Sequence, residues 1–223
     1  MPLLRKLRLD CAHFCMLWAW TWPIGRIARW CATLFVPPDR GRSCLAWFNR
    51  RGYVSLSAIT HGAELRLGNN VFVGDRVLLY QDPDGGPIEL EKGVHVFSDT
   101  HLQTAQGGSI RIGANTHVQP RCQFSACLAP IDIGVGVHIA AGCAFYPYNH
   151  GVATNVLIGK QPLHTKGGIA VGDDAWFGYG VIVLSGVHIG RGAVIGAGSV
   201  VTHDIPEGAI AVGSPARIIK FRT

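Results

Sequence analysis

One segment of the chain, residues 149–168, combines histidines with a complete lack of carboxylates. It opens with Asn149 and His150, and its only other histidine is His164. A neutral imidazole can take the proton of an alcohol as that alcohol attacks an acyl carbon, so His150 is a candidate general base. Because the segment supplies no carboxylate, His150 would be oriented by a backbone carbonyl, by Asn149 or by a group from elsewhere. Judged by spacing alone, the competing interpretation is that His150 is an ordinary surface histidine.

The sequence that follows this segment has a period of six. Apolar residues recur at Val171, Phe177, Val183, Ile189, Ile195 and Val201, with small residues at fixed positions between them. No α-helix has this period, and a flat strand has a period of two. The pattern predicts an all-β solenoid, a left-handed parallel β-helix of hexapeptide repeats.

The same phase continues upstream with interruptions. Apolar triplets occur at Leu67, Val73 and Leu79; Leu90, Val96 and Leu102; Ile112, Val118 and Phe124; and Ile133, Ile139 and Phe145. Three hexapeptides form one triangular coil. Within each triplet the anchors are six residues apart, and the extra residues lie between one triplet and the next, so every insertion falls after the third strand of a coil. We therefore expect all insertions, including residues 149–168, to emerge from one corner of the prism.

The N-terminal residues differ from the repeat in composition. Residues 1–51 hold nine Lys or Arg against two Asp, whereas the remainder is nearly neutral, although the whole chain carries a formal charge of +6. No nucleic-acid-binding motif accompanies this charge, and nucleic acid is not an expected partner. The seven cysteines form no CxxC pair, which favours a reducing, cytoplasmic location.

Helical spacing of apolar residues predicts two short amphipathic helices before residue 37. The first stripe comprises Leu4, Leu7, Cys11, Phe14, Trp18 and Trp22, and the second comprises Ile24, Ile27, Cys31 and Leu34. The apolar run is too short to cross a membrane comfortably. Two roles stay open for residues 1–36: a cap on the prism or on a neighbouring chain, and a peripheral membrane contact.

Three histidines share one phase of the repeat. His95, His117 and His138 each lie five residues after the first anchor of their coil, so they should form an outward column. Such a column is the basis for an alternative hypothesis, a metalloprotein similar to the γ-class carbonic anhydrases. The spacing in this chain differs from that class, and we expect no metal.

Several segments, in order, resemble the hexapeptide-repeat acyltransferases, which include the maltose, galactoside and xenobiotic acetyltransferases. The resemblance covers roughly residues 60–221. It rests on Asn149-His150, Gly172-Asp173-Asp174-Ala175-Trp176-Phe177-Gly178, Ile195-Gly196-Ala197-Gly198-Ser199-Val200-Val201-Thr202, Asp204-Ile205-Pro206 and Gly213-Ser214-Pro215-Ala216-Arg217-Ile218-Ile219-Lys220.

The resemblance implies an acetyl-CoA-dependent acetyltransferase with His150 as general base. It implies that Trp176 packs beside His150 and that donor contacts come from Gly178, Tyr179, Ala197 and Thr202. Arg217 and Lys220 would meet the phosphates of CoA. It also implies a homotrimer with sites between chains, for which Val181 and Val187 are candidate packing residues on the prism faces.

The acceptor is less determined than the donor. Sugar acetyltransferases of this family carry a carboxylate before the proline corner of the fourth coil, whereas residues 126–130 here are Ala-Cys-Leu-Ala-Pro. A saccharide or glycan-precursor hydroxyl is the expected acceptor. We expect a helical segment over 1–48 and an acyltransferase domain over 49–223, and a non-catalytic β-helix scaffold is the second alternative.

Overall fold

A three-sided solenoid of parallel strands dominates the computed structural model, which describes residues 2–223. Met1, the first residue of the predicted N-terminal segment, lies outside the described residues. Sheet 1 contains Tyr53–Val54, Phe72–Val73, His95–Val96, His117–Val118, His138–Ile139, Trp176–Phe177, Val194–Ile195, Ala209–Val212 and the antiparallel Arg217–Phe221. Sheet 2 contains Ile59–His61, Leu78–Gln81, His101–Ala105, Gln123–Cys127, Ala144–Tyr146, Ile182–Leu184 and Val200–Val201. Sheet 3 contains Leu65–Leu67, Ile88–Leu90, Ile110–Ile112, Ile131–Ile133, Ile169–Val171 and His188–Ile189.

The predicted hexapeptide anchors form the core of this solenoid. All of them are buried except Leu67, which is half-buried in the first coil. In-register pairing places similar side chains above one another in successive coils. Phe124 and Phe145, for example, lie parallel with ring centroids 4.6 Å apart. Burying each such side chain contributes roughly 1.5–3 kcal/mol. The predicted β-helix with short N-terminal helices is confirmed.

Insertions leave the prism at a single corner, as expected from the sequence. This corner, between sheets 2 and 3, is called the loop corner below. Residues 147–168 leave the strand Ala144–Tyr146 there and rejoin sheet 3 at Ile169. The corners without insertions are tight: a Cβ on Gly178 would lie 2.6 Å from the backbone nitrogen of Ala197. Glycine at that position is therefore a steric requirement.

Three helices precede the solenoid, one more than the sequence predicts. They are α1 (Pro2–Leu17), α2 (Gly25–Thr33) and a 3-10 helix (Asp39–Trp47). The first ends at Leu17, several residues before the predicted stop at Pro23. No helix among residues 2–223 has both the length and the apolar character needed to cross a bilayer.

The N-terminal helices cover the outer face of sheet 1 in its first coils. Their buried side chains, which include Ala12, Met16 and Leu45, form one apolar cluster with Phe72 and Phe97 of the solenoid. This packing is lateral, along the side of the prism.

Two side chains of this layer also protect the open edge of the first strand. The indole of Trp20 donates to the carbonyl of Gly52 at 3.2 Å, and the guanidinium of Arg29 donates to the carbonyl of Val54 at 3.0 Å. An unpaired strand edge otherwise invites association with other chains. The layer therefore stabilises both the side and the end of the solenoid.

The structure answers one open question about burial and corrects one expectation. The predicted apolar stripe of α1 faces solvent, because the helix packs through Ala12 and Met16 while Leu7 and Phe14 stay exposed. Val181 and Val187 lie inside the prism, fully buried, and so cannot pack against another chain. The exposed apolar side chains on the outer faces of these coils are Trp176, Tyr179 and Ile182.

Candidate active site

The carboxylate-free segment folds as a small two-stranded ladder at the loop corner. Asn149–His150 pairs antiparallel with Leu163–His164, with Asn149 opposite His164 and His150 opposite Leu163. His150 is exposed. A side chain on a paired strand has a fixed direction, unlike one on an unstructured loop. The structure therefore presents His150 from a defined position.

One hydrogen bond ties the base of this ladder to the solenoid, and a second closes the base itself. The side-chain amide of Asn149 donates to Oγ of Ser185 at 2.8 Å, and Ser185 is buried. The hydroxyl of Thr165 donates to the carbonyl of Pro147 at 2.6 Å. Asn149 thus orients the strand that carries His150, and within residues 2–223 no side-chain hydrogen bond of His150 itself is formed.

A single glutamine holds the tip of the loop. The amide of Gln161 accepts a hydrogen bond from the backbone nitrogen of Ala153 at 2.8 Å and donates to the carbonyls of Ala153 and Val156 at 2.9 and 2.7 Å. The Gln161 side chain also lies against Gly151, where a Cβ would meet its Oε1 at 2.6 Å. These bonds close residues 151–161 into a compact turn, although the turn itself is solvent-exposed.

Polar groups of sheet 2 lie beside the loop corner. The hydroxyls of Tyr148 and Ser125 are 3.4 Å apart, and the hydroxyl of Tyr146 donates to Oε1 of Gln123 at 2.7 Å. Burial, with a smaller contribution from Tyr148, raises the pKa of Tyr146, so its hydroxyl stays protonated. The repeat pattern does not single out these four side chains. Ser125 directly precedes the stretch 126–130, which carries no carboxylate.

The predicted donor-site residues fall into two groups within one chain. Trp176 is on the outer side of sheet 1, half-exposed, and Gly178, Tyr179 and Ala197 lie at the corner between sheets 1 and 2. Thr202 follows the last strand of sheet 2, so it lies at the loop corner two coils above the ladder. Within one chain, the structure places Thr202 at the same corner as His150, two coils away, and leaves the other four on different faces.

The C-terminal strand carries the predicted phosphate-binding residues. Arg217 and Lys220 are exposed on Arg217–Phe221, which pairs antiparallel with Ala209–Val212. Arg222, which the sequence analysis did not select, fastens this strand by donating to the carbonyl of Gly192 at 2.9 Å and by an ion pair of 3.2 Å with Asp174. Arg217 and Lys220 are thereby held on a fixed edge strand.

The predicted histidine column is present, and its rings pack against one another and against aromatic side chains. His95 stacks on His117 with ring centroids 4.6 Å apart, and His117 lies 5.2 Å from His138. His95 is buried against Trp47 and Phe72 of the N-terminal contact. Across residues 2–223, no group of three His, Cys, Asp or Glu side chains is arranged to hold a metal ion.

Comparison with known proteins agrees with this architecture. Residues 168–203 match the family described as Bacterial transferase hexapeptide (six repeats). The Probable acetyltransferase Rv3034c of Mycobacterium tuberculosis is 34% identical over 152 residues, which are 68% of this chain and 50% of that protein. This chain therefore spans about half the length of that relative.

Solved structures share the fold. A variant of AntD, an N-acyltransferase from Bacillus cereus in complex with dTDP and coenzyme A, has a TM-score of 0.58 at 19% identity, covering 78% of this chain and 82% of that one. The polySia specific acetyltransferase NeuO has a TM-score of 0.50 at 21% identity, covering 76% and 91%. Together with the repeat match and the mycobacterial relative, these likenesses confirm the resemblance to the hexapeptide-repeat acyltransferases.

Proposed function

We propose that this protein is an acetyl-CoA-dependent O-acetyltransferase in which His150 acts as general base. The observation that carries the proposal is the ladder at the loop corner, which presents an exposed His150 and is fixed by the bond from Asn149 to Ser185. The named activity of the mycobacterial relative supports it. We also propose that residues 1–48 form the helical segment and 49–223 the acyltransferase domain.

The chemistry is a direct acyl transfer. His150 removes the proton of the acceptor hydroxyl as its oxygen attacks the thioester carbonyl, and the resulting oxyanion is stabilised by backbone N–H groups. Collapse of the tetrahedral intermediate breaks the carbon–sulfur bond. The departing thiolate of CoA takes the proton from the imidazolium, which returns His150 to its neutral form.

The complete site is formed between chains of a homotrimer. Trp176 and Tyr179 expose large aromatic surfaces on faces that one chain leaves uncovered. A threefold arrangement would bring the side of one chain that carries Trp176 and Tyr179 to the loop corner of the next. His150 and Thr202 would then join the donor residues Gly178 and Ala197. Arg217 and Lys220 would then bind the phosphates of CoA.

The acceptor is a hydroxyl of a saccharide or glycan precursor. The hydroxyls of Ser125, Tyr146 and Tyr148 supply polar partners on the side of the loop corner where residues 126–130 supply none. Hydroxyl and phenol groups suit the hydrogen-bonding edges of a sugar. An amino sugar is the competing acceptor.

The test is release of free CoA thiol from acetyl-CoA in the presence of hydroxyl-bearing and amine-bearing sugars. We expect turnover with a hydroxyl acceptor and its loss in His150→Ala, with acetyl-CoA binding retained by calorimetry. Absence of acetyl-CoA binding would favour a non-catalytic scaffold. Turnover only with amines would replace the O-transfer assignment by N-transfer.

A further inference from the structure

The N-terminal helices expose an apolar surface on the side away from the solenoid. Ten large side chains, each at least 45% exposed, form this outer apolar surface: Leu4, Leu7, Phe14, Leu17, Trp18, Trp22, Ile24, Ile27, Trp30 and Leu34. Such a concentration is unusual, because soluble chains seldom leave large contiguous apolar patches uncovered.

An ordinary covering layer turns its large apolar side chains toward the core, whereas these helices leave theirs exposed. Both helices pack inward through small or flexible residues, including Ala12, Met16, Gly25 and Ala32, all of which are buried. Larger apolar side chains of the same helices, such as Leu7, Phe14 and Ile27, are exposed. Capping the solenoid accounts for the inner side alone, so the outer side has a separate role.

Exposed cations lie on the same two helices as the outer apolar surface. Arg5, Lys6, Arg8 and Arg26 are exposed, and none of them forms an ion pair with another residue of the described chain. The only carboxylate in residues 1–36 is Asp10. A second copy of this surface would bring like charges together, whereas an anionic lipid surface offers the complementary charge.

We propose that the outer apolar surface docks this protein on an anionic lipid bilayer. The helices lie flat in the interface, with Phe14 and Ile27 in the acyl region and the indoles of Trp18, Trp22 and Trp30 at the headgroup level. Because the helices cover sheet 1 and the loop corner is opposite that sheet, docking leaves the ladder of His150 on the side away from the lipid. This inference does not depend on the acetyltransferase assignment.

The test is co-sedimentation of the full chain with vesicles of phosphatidylcholine, with and without phosphatidylglycerol. We expect the chain to bind the anionic vesicles, and raising the salt concentration to about 0.5 M should weaken that binding. Binding to vesicles without phosphatidylglycerol should be at least about fivefold weaker. The double variant Phe14→Asn/Ile27→Asn should lose binding. Its matched control, Ile59→Asn/Val135→Asn, replaces exposed apolar side chains of the solenoid and should bind as the wild type does.

A second variant separates lost docking from lost folding. Arg8→Glu/Arg26→Glu keeps the apolar side chains and should also lose binding to the anionic vesicles, with an unchanged circular dichroism spectrum. Wild-type chain that stays in the supernatant with both vesicle types overturns the proposal. It is also overturned if Phe14→Asn/Ile27→Asn changes the molar mass in light scattering while vesicle binding persists, since the surface would then join copies of the chain.

Discussion

Asn149 donates its side-chain amide to Oγ of Ser185 at 2.8 Å, linking the strand of His150 to the coil above it. The two residues are 36 positions apart in sequence. Ser185 is buried, so its hydroxyl has little access to water as an alternative partner. This bond is the direct connection between the rigid solenoid and the residue proposed as general base.

Replacing the serine tests whether this bond positions His150. Ser185→Ala leaves the amide of the exposed Asn149 to bond with water instead, a change worth roughly 0.5–1.5 kcal/mol. We expect kcat to fall about tenfold with little change in the KM for acetyl-CoA and an unshifted pH profile. Ser43→Ala, in the 3-10 helix, is the matched control and should have no effect. A fall in thermal stability without a fall in kcat would assign Ser185 a structural role alone.

The two histidines of the ladder can be separated by substitution. His150→Ala should lower turnover by about 10²–10⁴, because removing a general base has that range of cost. His164→Ala is the internal control, since His164 lies on the partner strand opposite Asn149 and no family motif falls on it. Steady-state kinetics with acetyl-CoA in excess makes the comparison. Near-normal turnover in His150→Ala combined with loss in His164→Ala would transfer the catalytic role to His164.

Buried His95 makes stability dependent on pH. Burial, followed by the charge of His117, lowers the pKa of His95 to about 4. The unfolded chain has a histidine pKa of about 6.5, so below that pH it binds a proton that the folded chain excludes. Stability is therefore fully present above about pH 6.5 and is lost as pH falls toward 4, by about 2 kcal/mol between pH 7 and pH 5.

His95→Phe should remove the His95 contribution to this dependence without destabilising the protein at pH 7, leaving the weaker dependence that comes from His117, whose pKa burial also lowers. Nε2 of His95 is buried with no hydrogen-bond partner in the described chain, and phenylalanine suits the surrounding Trp47, Phe72 and Phe97. Urea unfolding at pH 7 and pH 5 makes the comparison. His61→Phe, at an exposed position, should keep the wild-type pH dependence. An identical loss of stability in His95→Phe and wild type would place the acid-sensitive group elsewhere.

The sequence predicted the solenoid well because its signal is local. Each anchor, such as Val118 or Ile139, points inward in its own hexapeptide, and the stacking of coils only repeats that choice. The position of the insertions followed from the same counting. The loop corner and the segment of His150 could therefore be placed without knowledge of distant contacts.

The helical layer could not be predicted in the same way. Helix α1 is apolar on two sides, and spacing alone does not say which side meets the solenoid. The stripe with the larger residues, such as Leu7 and Phe14, is the exposed one, whereas Ala12 and Met16 fit closely against sheet 1. The 3-10 helix Asp39–Trp47 follows Pro37-Pro38, which indicated an end to helical structure.

Contacts within the candidate site were hidden for a related reason. The bond from Asn149 to Ser185 and the Ser125–Tyr148 contact each join different coils. The repeat does contain one usable signal, because Ser185 follows the third strand of its coil and so lies at the loop corner. The sequence of one chain also carries no signal for which residues of neighbouring chains lie close together.

Assembly of the site from two chains can be tested by complementation. His150→Ala removes the base at the loop corner, and Ala197→Trp fills the proposed donor groove from an exposed position at the corner between sheets 1 and 2. Each variant alone should be inactive. Equal co-expression should restore about a quarter of wild-type activity. In randomly assembled cyclic trimers, the inactive homotrimers included, about one interface in four pairs an intact His150 with an intact Ala197 on its neighbour. Light scattering should give three times the 24.0 kDa chain mass. Mixed trimers with no recovered activity would show that one chain supplies both residues, since every site would then contain a substitution.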